Sequence, residues 1–515
     1  MFIMHNQNQT GHDYNDHFTA LHSNMNAIRA VASAVEGTLG SKGLDTMLVD
    51  ENGQVIVTND GVTILEKMEA NHPAAKMLIK VAKSQQNEIG DGTTTATILA
   101  SELLTDAVNQ VNRGVPIPKL IAGIKQGINI AIQKLRSNVR MIEDLKAPSL
   151  FQIAYIAGRE HEDIAKLIVD AALLIKKEKL SDPEYKFADS IVAYEGKQNQ
   201  LISGLILNKK RMNSQMPKKI SKANILVIED AFEPENVEEE ALGTEIGFQK
   251  YLEYKAEFQK NLLKITSLGV NVIAVDRGVD PIAEEFCIDH GIMVLQRLSR
   301  QDLKRLVEHT GAKTIKRTGL NKDTEELKAY LGYADEVIED QMLEKIRIIG
   351  GKGKPMATIL VGASTDEIVE ERERIAKDAA SSVQAAIRGG YVPGGGAIEF
   401  FIAKEIEKLK DQVHGMEGFG LQVVASALRK PMSQIILNAG FNPLEKLEEV
   451  KVAQNTQQKD SLGIDADTGE VIDMEQRGVL DPALVKIHAL QAAFEITEAI
   501  LRIKTIIKMK SDDQD

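Results

Sequence analysis

Among 515 residues the chain has a single cysteine, Cys287. That excludes an intramolecular disulfide framework and any zinc site built from several thiolates. Long apolar runs are missing too. The longest stretch free of Asp, Glu, Lys and Arg runs from Pro431 to Leu444 and contains Ser, Gln and two Asn, so nothing in it reads as a bilayer span. Proline is scarce at 13 residues, while 43% of the chain is hydrophobic and 27% charged, a globular rather than disordered composition. Positive charge is in deficit. Sixty-two Lys and Arg against 75 Asp and Glu leave a net charge of −13, which argues against a sequence-independent grip on nucleic acid. Residues 1–12 lack the basic start and apolar run of a signal peptide, so the expected location is cytoplasmic. No G-x-x-x-x-G-K-[ST] occurs, which excludes an ordinary P-loop, and no H-E-x-x-H or nucleophile motif appears. No repeat or low-complexity tract is present. At about 150 residues per domain the length suggests roughly three domains.

What is present is organised in three stretches. Phe18, Leu21, Met25, Ile28, Ala32 and Val35 recur at helical spacing and predict one amphipathic helix, stopped by the glycines of Leu39-Gly40-Ser41-Lys42-Gly43. Two short β-type runs, 47–49 and 55–58, flank a turn containing Asn52-Gly53, a hairpin signal. Helices are expected over 73–88 and 93–111. The centre alternates apolar runs (225–228, 270–275, 292–295) with helical stretches (247–267, 280–290, 300–310), which implies an α/β domain with parallel pairing. After residue 350 helical spacing returns over 367–387, 397–410, 420–428 and 482–507. The α/β part therefore reads as inserted into a helical domain made from both chain ends.

Three glycine-rich turns and two aspartates are candidates for chemistry. Gly90-Asp91-Gly92-Thr93-Thr94-Thr95 opens a helix, whose free N–H groups suit an anion, and the threonine hydroxyls can add hydrogen bonds to phosphate oxygens. An aspartate there repels phosphate unless a cation intervenes, which makes Asp91 a candidate Mg²⁺ ligand. A plain helix start with a threonine N-cap is the alternative. The turn at Gly40 reads most simply as a helix C-cap. Gly394-Gly395-Gly396 implies close approach of a ligand or backbone, or else a hinge. Gly350-Gly351-Lys352-Gly353-Lys354 precedes a strand and reads as a turn. Asp60 ends a strand before a glycine, a common place for functional residues. Asp378 lies in an acidic helix, where a solvated carboxylate is the default. Cys287, between Phe286 and Ile288, reads as a buried small apolar residue.

Taken in order, the segments from Leu39 to Asp50, Thr58 to Leu65, His72 to Met77, Gly90 to Thr95, Gly394 to Ala397 and Asn438 to Gly440 strongly resemble the thermosome/TCP-1-like chaperonins, over about residues 18–510. The mixture of a thermosome-like insertion with an Asp481-Pro482 pair of bacterial type fits either group II or the related lidded bacterial group III. Ser41 departs from the proline usual in the glycine turn. The resemblance implies a multidomain α plus α/β fold: a mostly helical equatorial ATPase domain (1–143 and 390–515), a hinge-like intermediate domain (144–203 and 348–389), and an inserted α/β apical domain (204–347). A helical protrusion at about 233–264 serves there as a built-in lid. It further implies ATP and Mg²⁺ as ligands. Leu39, Gly40, Gly92, Thr93, Thr94 and Thr95 would lie at the phosphates, Gly395 and Asp481 at base and ribose. Asp91 would hold the metal, and Asp60 and Asp378 would polarise the attacking water.

The implied function is ATP-dependent enclosure and folding of non-native proteins in two stacked rings, with eight subunits in each by family alone. Neither a separate co-chaperonin nor a nucleic-acid or membrane partner is expected. Client capture is assigned to Ile282 and Phe286 on one helix and to Leu303, Leu306 and Val307 on another, although core-facing helices show the same spacing. Ring assembly can use the 46–58 hairpin, whose edge is open to strand addition by a neighbour's terminal run, residues 503–509. Two rivals remain at this level: a soluble ATP-dependent small-molecule enzyme, and a binding scaffold without hydrolysis.

Overall fold

The computed structural model describes residues 9–506 apart from 54, 238–242, 342, 411 and 414. The last part of the expected terminal run, 507–509, and the middle of the expected protrusion, 238–242, lie outside the described residues. Two compact units emerge. One comprises Met1–Val169, Lys177–Asn199 and Val361–Asp515, and the other Asp170–Lys176 and Gln200–Leu360. Among the described residues no helix is long and apolar enough to cross a membrane.

The first unit is a stack of helices. Its first helix, Gln9–Glu36, buries Leu21, Met25, Ile28, Ala32 and Val35, the face predicted from spacing. They join one apolar cluster with the Pro73–Glu88, Thr93–Asn112, Ile117–Ser137, Glu417–Asn438 and Ala483–Leu501 helices. The two halves of the chain meet most closely where Ile117–Ser137 crosses Glu417–Asn438. A Cβ on Gly123 would stand 2.0 Å from the Glu417 carbonyl oxygen, and one on Gly420 would stand 2.4 Å from Gly123 carbon. Only a pair of glycines permits that approach, so this crossing is written in two positions of the sequence.

Two helix ends differ from expectation. The 420–428 helix runs on to Asn438, straight through Pro431. Proline removes one intrahelical hydrogen bond there, but Met432 and Ile436 beyond it are buried in a satellite cluster with Ala397, Phe400 and Ile464, and tertiary packing carries the helix past the break. The last helix ends at Leu501 rather than 507. The hairpin forms as read, Thr46–Val49 antiparallel to Val55–Thr58, with Thr46 opposite Thr58. Met47, Val49, Val55 and Val57 lie exposed on it, an apolar surface that no other described residue covers.

The second unit is a mixed sheet in the order Leu205–Leu207, Lys345–Ile349, Gly332–Asp340, Lys219–Ile228, Val272–Val275 and Met293–Leu295, with Thr314–Ile315 also against Lys219–Ile228. The central pairings at 225–228, 272–275 and 293–295 are parallel, as the alternation of runs required. Both faces are covered, which explains the unbroken apolar character of these strands. Ile225 and Val227 pack with Leu303 and Leu306, while Leu226 and Ile228 pack with Phe258, Leu262 and Cys287. Burial pushes the Cys287 thiol up to about 12, the state of an inert core residue.

The Gly350–Lys354 segment is a turn. The Gly353 and Lys354 amides donate to the carbonyls of His309 and Glu308, at 2.9 and 2.6 Å, closing the end of the Arg300–Thr310 helix. A Gly123→Ala substitution should lower the unfolding free energy by about 1–3 kcal/mol, the usual cost of overpacking, read as a lower urea midpoint. An unchanged midpoint would show that the two helices can slide apart freely.

Candidate functional site

Within the first unit, four loops distant in sequence are stitched to one another. The Thr93–Asn112 helix starts after Gly92, which sits at φ +79°, and no side chain caps it. Glycine itself, not threonine, occupies the cap position. Thr93, Thr94 and Thr95 thus form the first turn, and its amides are left for an outside acceptor. Asp60 caps the short Gly61–Lys67 helix, accepting from the Thr63 amide at 3.1 Å and its hydroxyl at 2.6 Å. A Cβ on Gly61 would lie 2.4 Å from Thr94 Oγ1, so the Asp60 loop rests directly on the threonine turn.

Asp91 is held from three sides. Its Oδ1 accepts from the Gly92 amide at 2.6 Å, and its Oδ2 accepts from the hydroxyl of buried Ser382 on the Asp366–Gly389 helix. Its backbone carbonyl receives Gln85 Nε2 at 2.8 Å. Gln85 is fully buried; its side-chain oxygen accepts from His488 Nδ1 at 2.7 Å, and Nε2 also reaches the Val485 carbonyl at 3.2 Å. Gly90 fits under the same helix because a Cβ there would meet Ser381 Oγ at 2.3 Å.

Asp378 lies on that helix one turn before Ser382. Its carboxyl keeps some accessible surface but is densely surrounded, and it is raised well above the usual carboxylate range. Burial is the main cause, followed by the charges of Asp91 and Asp60, with the Arg159 guanidinium opposing them. Asp91 is raised as well: burial and the charge of Asp481 outweigh the help of Ser382 and the Gly92 amide. Asp60 and Asp91 therefore lie near enough to Asp378 for their charges to act on it, within this one unit. The crowding favours a cation. Among the described residues no three such side chains form a ready-made metal cage. Asp91 would supply one oxygen donor of the hard kind Mg²⁺ takes.

The remaining glycine turns meet on the Glu417–Asn438 helix. Gly40, at φ +88°, lies against Ile435, and Asn438 Nδ2 donates to the carbonyls of Glu36 and Leu39 at 2.8 and 2.9 Å. One helical turn earlier, a Cβ on Gly396 would come within 2.7 Å of the Met432 amide nitrogen. The Gly40 and Gly395 loops thus flank the same helix, and the triple glycine serves close backbone approach. Asp481 stands in register with Val392 in the pairing of Leu480–Pro482 with Tyr391–Pro393, and a Cβ on Gly394 would lie 3.1 Å from its carboxylate.

Sequence reasoning missed Ser382, Gln85, Arg159, Glu399 and Lys486. Arg159 and Arg374 share Glu371, which also accepts from Thr58 Oγ1 at 3.2 Å. Glu399 and Lys486 left a signal, each being a lone charge in an apolar helical run.

In the second unit, Leu303 and Leu306 are buried in the sheet core, whereas Ile282, Phe286 and Val307 are half-buried. The Glu245–Ser267 helix divides by polarity. Ile246, Phe248 and Leu252 are exposed, Ile246 to 79%, while Phe258, Leu262 and Ile265 anchor it in the core.

This chain matches the TCP-1/cpn60 chaperonin family model over residues 31–511. It is 33% identical to a thermosome subunit of Methanocaldococcus jannaschii over 95% of this chain and 93% of that one. It is 35% identical to a thermosome subunit beta of Archaeoglobus fulgidus, over 95% and 91%. A crystal structure of a group III chaperonin in the open state superposes with a TM-score of 0.84 at 45% identity, covering 96% of this chain and all of that one. With its motifs, its fold and these relatives in agreement, the chain belongs to the TCP-1/cpn60 chaperonin family.

Proposed function

We propose that this chaperonin subunit hydrolyses Mg-ATP to ADP and phosphate at the site formed by Gly40, the Gly92–Thr95 turn, Asp60, Asp91 and Asp378, and that hydrolysis drives enclosure of a non-native polypeptide. The observation that carries the reading is the convergence of three carboxylates on a helix start whose amides no side chain caps. The threonine amides and hydroxyls bind phosphate oxygens. Asp91, fixed by Ser382 and Gly92, holds Mg²⁺, which supplies charge neutralisation for the phosphates. Asp378 takes the proton of the attacking water, with Asp60 orienting that water. Leu39 and Gly40 contact phosphate through their backbone, while Gly395 and Asp481 border base and ribose.

As a chaperonin subunit the chain works in a double ring on client proteins. We assign its domains as equatorial (1–143 and 390–515), intermediate (144–203 and 348–389) and apical (204–347), the lid lying at about 233–264. Asp378 belongs to the intermediate part, so hinge motion sets its distance from the phosphates. Eight subunits per ring, closure without a co-chaperonin and a cytoplasmic location complete the reading. The 45% identity to a group III chaperonin, against 33% and 35% to the two thermosome subunits, supports the lidded bacterial branch. Client contact is assigned to Ile282, Phe286 and Val307, with Leu303 and Leu306 supporting that surface from beneath.

Removing the base should cost turnover about 10²-fold or more. Asp378→Ala is expected to abolish most phosphate release while ATP binding stays within a few-fold of wild type. Retained turnover would refute the assignment. The same carboxylate has a stability signature. Its pKa is raised in the folded state, so the native protein holds the proton more tightly than the unfolded chain does. Stability therefore falls as pH rises from about 4 through the folded value, and the penalty is complete above it. In nucleotide-free, metal-free protein, Asp378→Asn should raise the thermal midpoint at pH 7, with the gain shrinking toward pH 4. An equal or lower midpoint at pH 7 would contradict the crowding.

A further inference from the structure

Lys486 sits in the first turn of the Ala483–Leu501 helix and is buried to 8% exposure. Its ammonium lies 2.6 Å from Glu399 Oε1 and 2.7 Å from Asp481 Oδ2. Glu399 is buried to 1% on the Ala397–Lys410 helix, which begins directly after the triple glycine. Neither Glu399 oxygen receives a well-aligned hydrogen bond from the described residues, so the ammonium is what compensates its charge. Burial alone would lower the Lys486 ammonium, but Asp481 and Glu399 together raise it above its ordinary value.

Such a triad is a costly way to hold two helices together. Apolar residues of similar volume often do so as well or better. What it supplies in addition is a fixed position for Asp481. That carboxylate is the most accessible of the three groups, at 25%, and it faces Gly394, where a missing Cβ leaves room beside it. A carboxylate free to rotate would lose orientation each time a ligand approached. One tied to a buried ammonium, itself tied to a buried carboxylate, presents its remaining oxygen in one place.

We propose that Lys486 is a positioning residue for nucleotide recognition: anchored on Glu399, it fixes Asp481 to receive the ribose hydroxyls and so sets the preference for a ribonucleotide. This rests on the reading of Asp481 as the ribose contact. The ion pairs of Lys486 among the described residues are to Glu399 and Asp481, not to Asp60, Asp91 or Asp378, so its effect is expected on binding rather than on the chemical step.

The test compares ATP with 2′,3′-dideoxy-ATP in the full-length assembled protein, by equilibrium binding and by phosphate release. Lys486→Met/Glu399→Leu removes the buried pair together and leaves only the partly exposed Asp481 carboxylate, while Lys486→Met alone, which also strands buried Glu399, is made alongside it. The affinity for ATP should fall about tenfold, the scale of one charged hydrogen bond. Affinity for the dideoxy analogue should change less than about twofold, so discrimination collapses while kcat is nearly kept. Equal weakening of both nucleotides would mean a merely structural role and overturn the proposal. So would intact discrimination in the double variant when Asp481→Ala abolishes it. If Asp481→Ala itself leaves discrimination intact, the ribose reading has failed, and the role of Lys486 falls with it.

Discussion

Three carboxylates held closer together than their charges favour are the constraint around which this molecule is arranged. Asp91 is clamped by the Gly92 amide and Ser382, and Asp378 stands one turn away on the same helix as Ser382. Asp60 is fixed by its own N-cap bonds to Thr63. Burial and mutual repulsion raise Asp378 well above its ordinary range, which is poor for stability and suited to a base whose partner is a cation-bearing substrate. The threonine turn beside them has no side-chain cap, so its first amides stay free. Acid cluster and free amides stand side by side, the combination the proposed metal and polyphosphate would use.

Close backbone approach is what permits the arrangement. Gly61 rests on Thr94, Gly90 on Ser381, Gly92 on Val485 and Gly396 on Met432, and a Cβ at any of these positions would sit well inside contact distance. The Gly123–Gly420 crossing does the same for the scaffold, locking the N-terminal helices to the C-terminal ones. Elsewhere apolar side chains are exposed among the described residues: Met47, Val49, Val55 and Val57 on the hairpin, and Ile246, Phe248 and Leu252 on the long helix of the second unit. Exposed apolar surface of this kind is what a neighbouring subunit can cover in an oligomeric ring.

Much of this was legible in the sequence. Periodicity gave the buried face of the first helix, and Asn52-Gly53 marked the hairpin. The alternation of short apolar runs implied the parallel strands of the second unit. Glycine clusters marked the loops that meet, because their need for close approach is local. Ion pairs between distant segments were not legible. Nothing near Glu399 announces Lys486, and Ser382 looks like any helical serine until Gly90 and Asp91 are brought beneath it. The helix through Pro431 was missed because local propensity opposes it and only the burial of Met432 and Ile436 overrides it. Leu303 and Leu306 show why spacing alone does not separate a core face from a docking face.

The most direct test of the whole account is electron microscopy of the purified protein, with end-on and side views, with and without hydrolysable Mg-ATP. The account predicts two stacked rings, open without nucleotide, whose ends close over the chamber while ATP is being hydrolysed. Small particles under every condition, or rings whose ends never close in Mg-ATP, would contradict it.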